Sequence, residues 1–170
     1  MPIHDMLPLR HFQSLVVCLA VLCLAGCAPS GTLKEGSTRD EVRASWGKPT
    51  LVKPRATGER WVFATAPEGR QTWFVDFDAS GRMTAFDQVL TQDHVQRVQP
   101  GQTQPEVEDL IGPSYYTMRY PLQPNELAHI YRFVRPNAPI CFYVYYGPDG
   151  KVLRTDYRDD RVYNALERPC

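Results

Sequence analysis

The sequence predicts an α+β protein built from two tandem (α)αβββ repeats, with antiparallel sheets and short helices packed on one face. Three observations lead to this prediction. A twelve-residue helix signal occurs twice, segments rich in aromatic and β-branched residues follow each copy, and turn signals separate those segments. We expect the first repeat at 33–90, the second at 91–160 and a C-terminal tail at 161–170.

The chain begins with a segment typical of a secretory signal. Residues 12–25 form an apolar run in which only Gln13 and Ser14 are polar, and a modest positive flank precedes it. The run is too short to span a bilayer comfortably and matches the core of a signal peptide. Residues 1–26 are therefore predicted to be a signal peptide, with translation starting at Met1 or Met6.

The tetrapeptide LAGC at 24–27 resembles a bacterial lipobox, in which the cysteine thiol is acylated and becomes the mature amino terminus. The alternative is an ordinary cleavage site with an incidental cysteine. A lipid on Cys27 would anchor the protein to a membrane through the linker 27–32 without crossing it. Ala28 follows the cysteine where inner-membrane lipoproteins usually carry Asp, so the resemblance implies the outer membrane, on its periplasmic face.

Charge and composition narrow the classes of partner. The chain has 19 basic and 19 acidic side chains, so its formal net charge is +0. Nucleic-acid-binding proteins and polybasic membrane-surface proteins carry an excess of positive charge. The balanced charge therefore predicts no nucleic-acid partner. The lipobox resemblance implies membrane lipid through acylation and an envelope protein as partners.

Two cysteines remain once the signal segment and the lipobox are set aside. These are Cys141 and Cys170. In an oxidising compartment an even pair is expected to form a disulfide, and two free thiols are the alternative. The disulfide would close a loop of about 30 residues, worth roughly 3 kcal/mol in the chain-entropy model.

The repeated helix signal is GSTRDEVRASWG at 36–47 and GQTQPEVEDLIG at 101–112. The two copies are identical at five of twelve positions, where chance gives about one. Thr-x-x-Glu is a capping box, the apolar residues that follow have helical spacing, and the final glycine supplies a left-handed helix end. Each copy therefore predicts a short helix whose amino-terminal amides are occupied by its own side chains, which leaves little room for an anion.

Strand signals follow each helix. The predicted strands are 60–63, 71–77 and 82–88 in the first repeat, and 131–134, 140–146 and 151–157 in the second. Residues 51–60 and 115–129 are predicted to be loops. Residues 91–98 are predicted to form a further short helix with Val95 and Val98 facing inward.

The order of lipobox, capped helix, Trp-x-Phe strand and Phe-Asp-x-x-Gly-Arg-Met resembles the SmpA/OmlA (BamE-like) family of outer-membrane lipoproteins. The first-repeat residues that carry the resemblance are Gly36, Thr38, Val42, Gly47, Pro49, Trp61, Phe63, Phe77 and Gly81. The second repeat keeps Gly101, Thr103, Val107, Gly112, Tyr131, Phe133 and Gly150. The family's Asp-Pro-Phe-Gly type loop has no counterpart in 51–60, so the scaffold matches better than the binding residues.

Signals for catalysis are weak. His94 and His129 lie in no metal-spaced pair and beside no nucleophile motif. We expect His94 to be exposed on a short helix and His129 to lie in a loop or at a strand edge. The prediction is a protein that is not an enzyme and carries no metal and no cofactor beyond the covalent lipid on Cys27.

Strand alternation indicates where a partner would bind. In 140–146, Tyr143 and Tyr145 share one face with Cys141, opposite the face expected to pack on the helices. Tyrosine is a preferred contact residue in protein interfaces. The predicted partner-binding residues are Tyr143, Tyr145, Tyr115, Tyr116, Arg119 and Tyr120. The alternative is that these tyrosines pack against the tail 161–170 and the neighbouring repeat.

Two functional hypotheses follow. The family resemblance implies a binding scaffold in the assembly of outer-membrane proteins, with assembly components as partners. Tandem αβββ units also resemble the β-lactamase inhibitor protein fold, whose concave sheet grips another protein. That resemblance implies an inhibitor-like or sensor lipoprotein that binds a periplasmic enzyme through an aromatic sheet.

Overall fold

The computed structural model describes residues 33–67, 69–136, 138–160 and 170. The predicted signal peptide, Cys27 and the linker 27–32 lie outside these residues, and so does the predicted tail apart from Cys170. All elements given below belong to the compact unit Leu33–Cys170.

The described residues form short helices and two runs of strands. The helices are α1 (Arg39–Trp46), α2 (Gln92–Val95) and α3 (Gln104–Ile111). The first four strands are β1 (Leu51–Arg55), β2 (Gly58–Ala64), β3 (Thr72–Asp78) and β4 (Met83–Gln88). The others are β5 (Tyr116–Tyr120), β6 (Gln123–Arg135), β7 (Ala138–Tyr146) and β8 (Val152–Asp159).

Each run of strands forms one antiparallel sheet in sequence order. Sheet 1 is β1-β2-β3-β4 and sheet 2 is β5-β6-β7-β8. The predicted α+β class with antiparallel sheets and short helices is confirmed. The predicted number of strands is wrong, because each sheet has four strands rather than three.

The additional strands lie in the segments predicted as loops. β1 and β5 are edge strands, and β6 begins at Gln123, well before the predicted start at 131. An edge strand makes ladder hydrogen bonds on one side, so it tolerates Pro54 and the polar residues Lys53 and Arg55. These residue types make a half-exposed edge strand look like a loop in the sequence.

Both longer helices begin as the repeated signal predicts. The Thr38 hydroxyl accepts the amide of Glu41 at 3.2 Å, and the Glu41 carboxylate accepts the amide of Thr38 at 2.7 Å. In α3 the Glu106 carboxylate accepts the amide of Thr103 at 2.7 Å. The short α2 lies within the predicted 91–98 helix.

Sheet 1 packs one face on α1. The buried cluster there consists of Val42, Trp61, Phe63, Val75, Phe77 and Met83. Val42 is the buried residue of α1, and the other residues come from β2, β3 and β4. An eight-residue helix covers only part of a sheet face. At the carboxyl end of α1, aromatic side chains of the sheet also pack against one another.

Sheet 2 packs on α2 and α3 through a larger core. The cluster contains Leu90, Val95, Val98, Val107, Ile111, Tyr131, Phe133, Ile140, Phe142, Val144, Tyr146 and Val152. The predicted inward positions Val95 and Val98 are confirmed, since both side chains are buried. Residues from β6, β7 and β8 supply the sheet side of this core.

α3 also contacts sheet 1. Asp109 of α3 pairs with Lys53 at 3.0 Å and with Arg55 at 3.2 Å, both on β1. Gly112 ends the helix with φ of 81°, and a Cβ there would lie 2.5 Å from Cγ2 of Thr72. α3 therefore lies between the two sheets, and Gly112 permits both its left-handed end and the close approach to β3.

A buried carboxylate links the two sheets at another point. The Asp160 side chain is fully buried and pairs with Arg70 at 2.7 Å and with Arg132 at 3.1 Å. Arg132 also donates to the carbonyl of Pro67 at 2.8 Å. Arg70 and Pro67 lie between β2 and β3, so this group joins sheet 1 to sheet 2.

Candidate protein-binding surfaces

The tyrosines that the sequence predicts as a binding surface lie mainly on one face of sheet 2. This tyrosine-rich face is formed by Ala128, Ile130, Cys141, Tyr143 and Tyr145, with Tyr116, Met118, Tyr120 and Cys170 packed against them. It is opposite the face that packs on α2 and α3. The prediction that Tyr143 and Tyr145 share a face with Cys141 is confirmed.

The tyrosine-rich face is not open to solvent at its centre. Tyr143 and Tyr145 are 0% and 1% exposed. Cys170 forms a disulfide with Cys141, with the Cα atoms 5.9 Å apart, and the Tyr143 hydroxyl donates to the carbonyl of Cys170. Cys170 therefore lies against this face. The burial agrees with the alternative that these rings pack internally, and neither ring is free to contact a partner.

Arginine side chains of β8 add to the packing of this face. The Arg154 guanidinium lies 3.6 Å from the ring centre of Tyr145, and that of Arg158 lies 4.5 Å from the ring centre of Tyr143. Arg158 also donates to the Tyr145 hydroxyl at 3.2 Å. Burial raises the pKa of both phenols, so the two tyrosines are neutral at ordinary pH.

The other four residues predicted to contact a partner do not all lie together in the structure. Tyr116 and Tyr120 are half-buried at the edge of the tyrosine-rich face. Tyr115 lies edge-on to Tyr116 and beneath the guanidinium of Arg132. Arg119 is exposed and donates to the carbonyl of Pro124 at 3.2 Å. The structure therefore does not bring the six residues together into one exposed surface.

A partly exposed group of aromatic residues lies instead where α1 meets sheet 1. We call Trp46, Trp73 and Phe86 the aromatic patch. The Trp46 and Trp73 ring centres are 5.4 Å apart and edge-on, and Phe86 stacks on Trp73 at 6.2 Å. Both tryptophans are half-buried and Phe86 is 44% exposed.

The aromatic patch lies at the carboxyl end of α1, where the helix stops covering the sheet. Trp46 ends α1, and Trp73 and Phe86 come from neighbouring strands β3 and β4. In the sequence, the helical spacing of Val42 and Trp46 indicates only an apolar side of the helix. The signal that could have found the patch is the alternation of β3 and β4, which puts Trp73 and Phe86 on the face that α1 covers.

Grooves on both sides of Asp109 are lined by ion pairs. Their volumes are about 300 and 390 Å³, and Arg60, Asp76 and Asp109 line both. Arg60 holds Asp76 through two hydrogen bonds of 2.6 and 2.7 Å. Burial opposes the ionisation of Asp109, but Lys53 and Arg55 outweigh it and lower its pKa. The carboxylates of Asp76 and Asp109 are therefore held in ion pairs, and His94 also lines the first groove.

His94 and His129, the histidines among the described residues, lie apart in different surroundings. His94 is partly buried, with Nδ1 2.9 Å from the Thr91 hydroxyl and Nε2 3.4 Å from Asp87. The expectation of an exposed His94 is therefore wrong, because α2 packs this side chain against β4. His129 is 4% exposed in the middle of β6, so its predicted position in a loop or at a strand edge is also wrong.

One group of residues has the spacing of metal ligands. Among the described residues, three His, Cys, Asp or Glu side chains meet only at Cys141, Asp160 and Cys170. The two sulfurs are bonded to each other, and Asp160 is held by two arginines. A disulfide has no thiolate to offer, so this group does not fit a metal ion.

Among the described residues, no helix has both the length and the apolar character needed to cross a membrane.

Comparisons with known proteins identify no family. No family model matches the chain, and no curated protein matches it. A solved structure of a DUF4309 family protein (YjgB) from Bacillus subtilis aligns with 72% of this chain and 78% of its own, at 14% identity and a TM-score of 0.30. That similarity is too low to support an argument about fold or function, and the resemblance to the SmpA/OmlA family stays a prediction.

Proposed function

We propose that this protein is an outer-membrane lipoprotein, anchored on the periplasmic face, that acts as a non-catalytic protein-binding scaffold in the assembly of outer-membrane proteins. Three kinds of observation support the proposal. The LAGC sequence ending at Cys27 supports the lipid anchor. The groove carboxylates Asp109 and Asp76 are held in ion pairs with Lys53 and Arg60, which favours a structural role for them over a catalytic one. The aromatic patch supplies a surface suited to a protein partner.

The observation that carries the binding role is the exposure of the aromatic patch. The exposed large hydrophobic residues of the described chain are Leu51, Val52, Phe86, Leu122, Val134 and Leu153, of which Phe86 alone is aromatic. Aromatic residues in packed clusters are enriched at the energetic centres of interfaces. Phe86 belongs to such a cluster with Trp46 and Trp73.

The short sequence distance between the predicted anchor and sheet 1 also supports a partner at the membrane. Leu33 packs against the same cluster of sheet 1 as Trp46 and Trp73. Cys27 and Leu33 are six positions apart in the sequence, a distance that an extended chain spans in roughly 20 Å. A lipid on Cys27 would therefore keep sheet 1 close to the membrane, where outer-membrane proteins are assembled.

The tandem-repeat relation is part of the same proposal. α1 with sheet 1 and α3 with sheet 2 share capped helix starts, and isolated bridges tie Thr38 to Arg82 and Thr103 to Lys151. These matched features support two copies of one scaffold. The alternative function, an inhibitor-like protein with an open aromatic sheet, is not favoured, because Tyr143 and Tyr145 are buried.

Crosslinking in intact envelopes tests the proposal. A photo-reactive amino acid replaces Phe86 in one variant and Leu153 in a control variant, because their exposures are similar at 44% and 47%. After irradiation, mass spectrometry identifies the adducts. We expect outer-membrane assembly components from the Phe86 variant and not from the control. A Cys27→Ala variant should lose both the membrane attachment and these adducts.

Other results would contradict the proposal in distinguishable ways. A single soluble periplasmic enzyme among the adducts would favour the inhibitor-like alternative. Equal adducts from the two positions would remove the role of the aromatic patch. Unchanged membrane attachment of Cys27→Ala would refute the lipid anchor alone.

A further inference from the structure

Three polar side chains lie unpaired between α3 and sheet 2. Nδ1 of His129 and the hydroxyls of Tyr131 and Tyr146 are buried without a hydrogen-bond partner in the part of the chain that the structure describes. The three residues are 4%, 1% and 3% exposed. Buried polar atoms are nearly always hydrogen-bonded, so three unpaired atoms in one region need a physical explanation.

The three residues are close together on one face of the sheet. His129 and Tyr131 are two residues apart on β6, so their side chains point the same way. Tyr146 of β7 pairs with Leu127, and its ring centre is 4.7 Å from that of His129. Tyr131 and Tyr146 both belong to the core beneath α3.

Glu108 of α3 is the charged group that faces them. It is the carboxylate whose charge acts on the pKa of each of the three residues. Gln104 donates to its Oε1 at 2.8 Å, and Lys53 lies 3.8 Å from its Oε2. Burial raises the pKa of both tyrosines and lowers that of His129, so all three are neutral near pH 7.

The chemistry of this group restricts what can bind there. A neutral imidazole and two phenols both donate and accept hydrogen bonds, and the Glu108 carboxylate accepts them. The carboxylate disfavours an anion. Among the described residues the spacing of metal ligands occurs only at Cys141, Asp160 and Cys170, which lie elsewhere. The ligand that fits these groups is a small neutral molecule that both donates and accepts hydrogen bonds.

We propose that His129, Tyr131 and Tyr146 form a binding site for ordered water between α3 and sheet 2, in which the water is hydrogen-bonded to their unpaired polar atoms. A buried water typically makes about three hydrogen bonds to polar groups that lack protein partners. A surface groove of about 440 Å³ is lined by Tyr146 and by Gln104, which itself binds Glu108. Because Tyr146 belongs to both, the proposed site lies next to this groove.

Removing each hydroxyl tests the energetic side of the proposal. If water satisfies them, Tyr131→Phe and Tyr146→Phe each lose a hydrogen bond, and the folding equilibrium constant falls about fivefold in urea titrations. If the hydroxyls are dry and unpaired, the same changes remove a buried polar group and raise the constant. Tyr157→Phe is the matched control, because Tyr157 is half-buried against Phe142; we expect a change under about twofold.

Direct detection shows whether the three polar atoms are hydrogen-bonded to water or to a side chain of the protein itself. A crystal structure of the wild-type protein should show water within hydrogen-bond distance of at least two of the three residues. Nuclear Overhauser effects from long-lived water to the rings of His129 and Tyr131 should be present in solution. The proposal is overturned by a dry site, by hydroxyls bonded directly to Glu108, or by stabilisation in both phenylalanine variants.

Discussion

Burial sets the protonation of single residues in this protein. The interior raises the pKa of Tyr131 and Tyr146 and lowers that of His129, in each case first through desolvation. His129 faces Glu108 of α3, Tyr146 of β7 and its neighbour Tyr131, and this carboxylate only partly offsets the effect of burial on the imidazole. The neutral imidazole is therefore the form that the folded protein accommodates.

This state of His129 predicts a dependence of stability on pH. The pKa of His129 in the folded protein lies below the ordinary value of 6.5, so between the two values the unfolded chain binds more protons. The free energy of unfolding should therefore fall as the pH decreases below about 6.5. Urea titrations from pH 7.5 to pH 5 measure the trend.

Two histidine variants isolate the contribution of His129. His129→Gln should flatten the decline of stability between neutral and mildly acidic pH. His94→Gln removes the same number of histidines from a partly exposed position beside Asp87, and it should leave the decline in place. An equal decline in wild type and His129→Gln would show that other groups cause the dependence.

The predicted exposure of the β7 tyrosines shows what alternation can and cannot reveal. The alternation of β7 correctly places Tyr143 and Tyr145 on one face with Cys141. Alternation does not reveal whether a second layer covers that face, because the cover comes from Cys170, 29 residues further along the chain. The pairing of Cys141 with Cys170 was predictable, since only two cysteines remained for an oxidising compartment.

Capping of the first turn stabilises the short helices α1 and α3. An isolated eight-residue helix is too short to be stable in water. In α1, Thr38 and Glu41 satisfy each other's amides, and hydrogen bonds from Thr38 lower the pKa of Glu41. In α3, hydrogen bonds from Thr103 lower the pKa of Glu106 in the same way. Both carboxylates are therefore retained as ions at the helix starts, which leaves little room for an external anion.

This account predicts a modest cost for removing a cap. Thr38→Ala should lower the free energy of unfolding by about 1 kcal/mol, because the amide of Glu41 loses its acceptor. Thr38→Ser keeps a hydroxyl at the same place and should recover most of that loss. The measurement is the midpoint of denaturant unfolding, compared between variants whose free energy of unfolding depends on denaturant concentration with the same slope. A loss of similar size in Thr38→Ser would contradict capping as the cause.

The elements themselves were partly predictable. The capping boxes, the glycine ends and the aromatic strands β3 and β7 have strong local signals, and these elements were predicted. β1 and β5 were missed, since edge strands carry polar residues and, in β1, a proline. The aromatic patch was missed because its three residues belong to three elements whose packing is set by tertiary contacts.

The two sheets are held together by contacts between residues far apart in sequence. Asp109 of α3 joins Lys53 and Arg55 of β1. Asp160 joins Arg70 and Arg132, which lie on either side of the boundary between the sheets. Such pairs cannot be inferred from local pattern, because each charged residue alone looks like a solvent-exposed one. The sequence therefore indicates the elements of the molecule better than their assembly.

The most direct test of the central claim concerns Phe86, the exposed member of the aromatic patch. Phe86→Ser is compared with Leu153→Ser, because both positions are similarly exposed. We predict that Phe86→Ser lowers the affinity for the crosslinked partner about tenfold, whereas Leu153→Ser retains it, with similar melting temperatures for both variants. Equal affinity in the two variants would contradict the claim that the aromatic patch binds a protein.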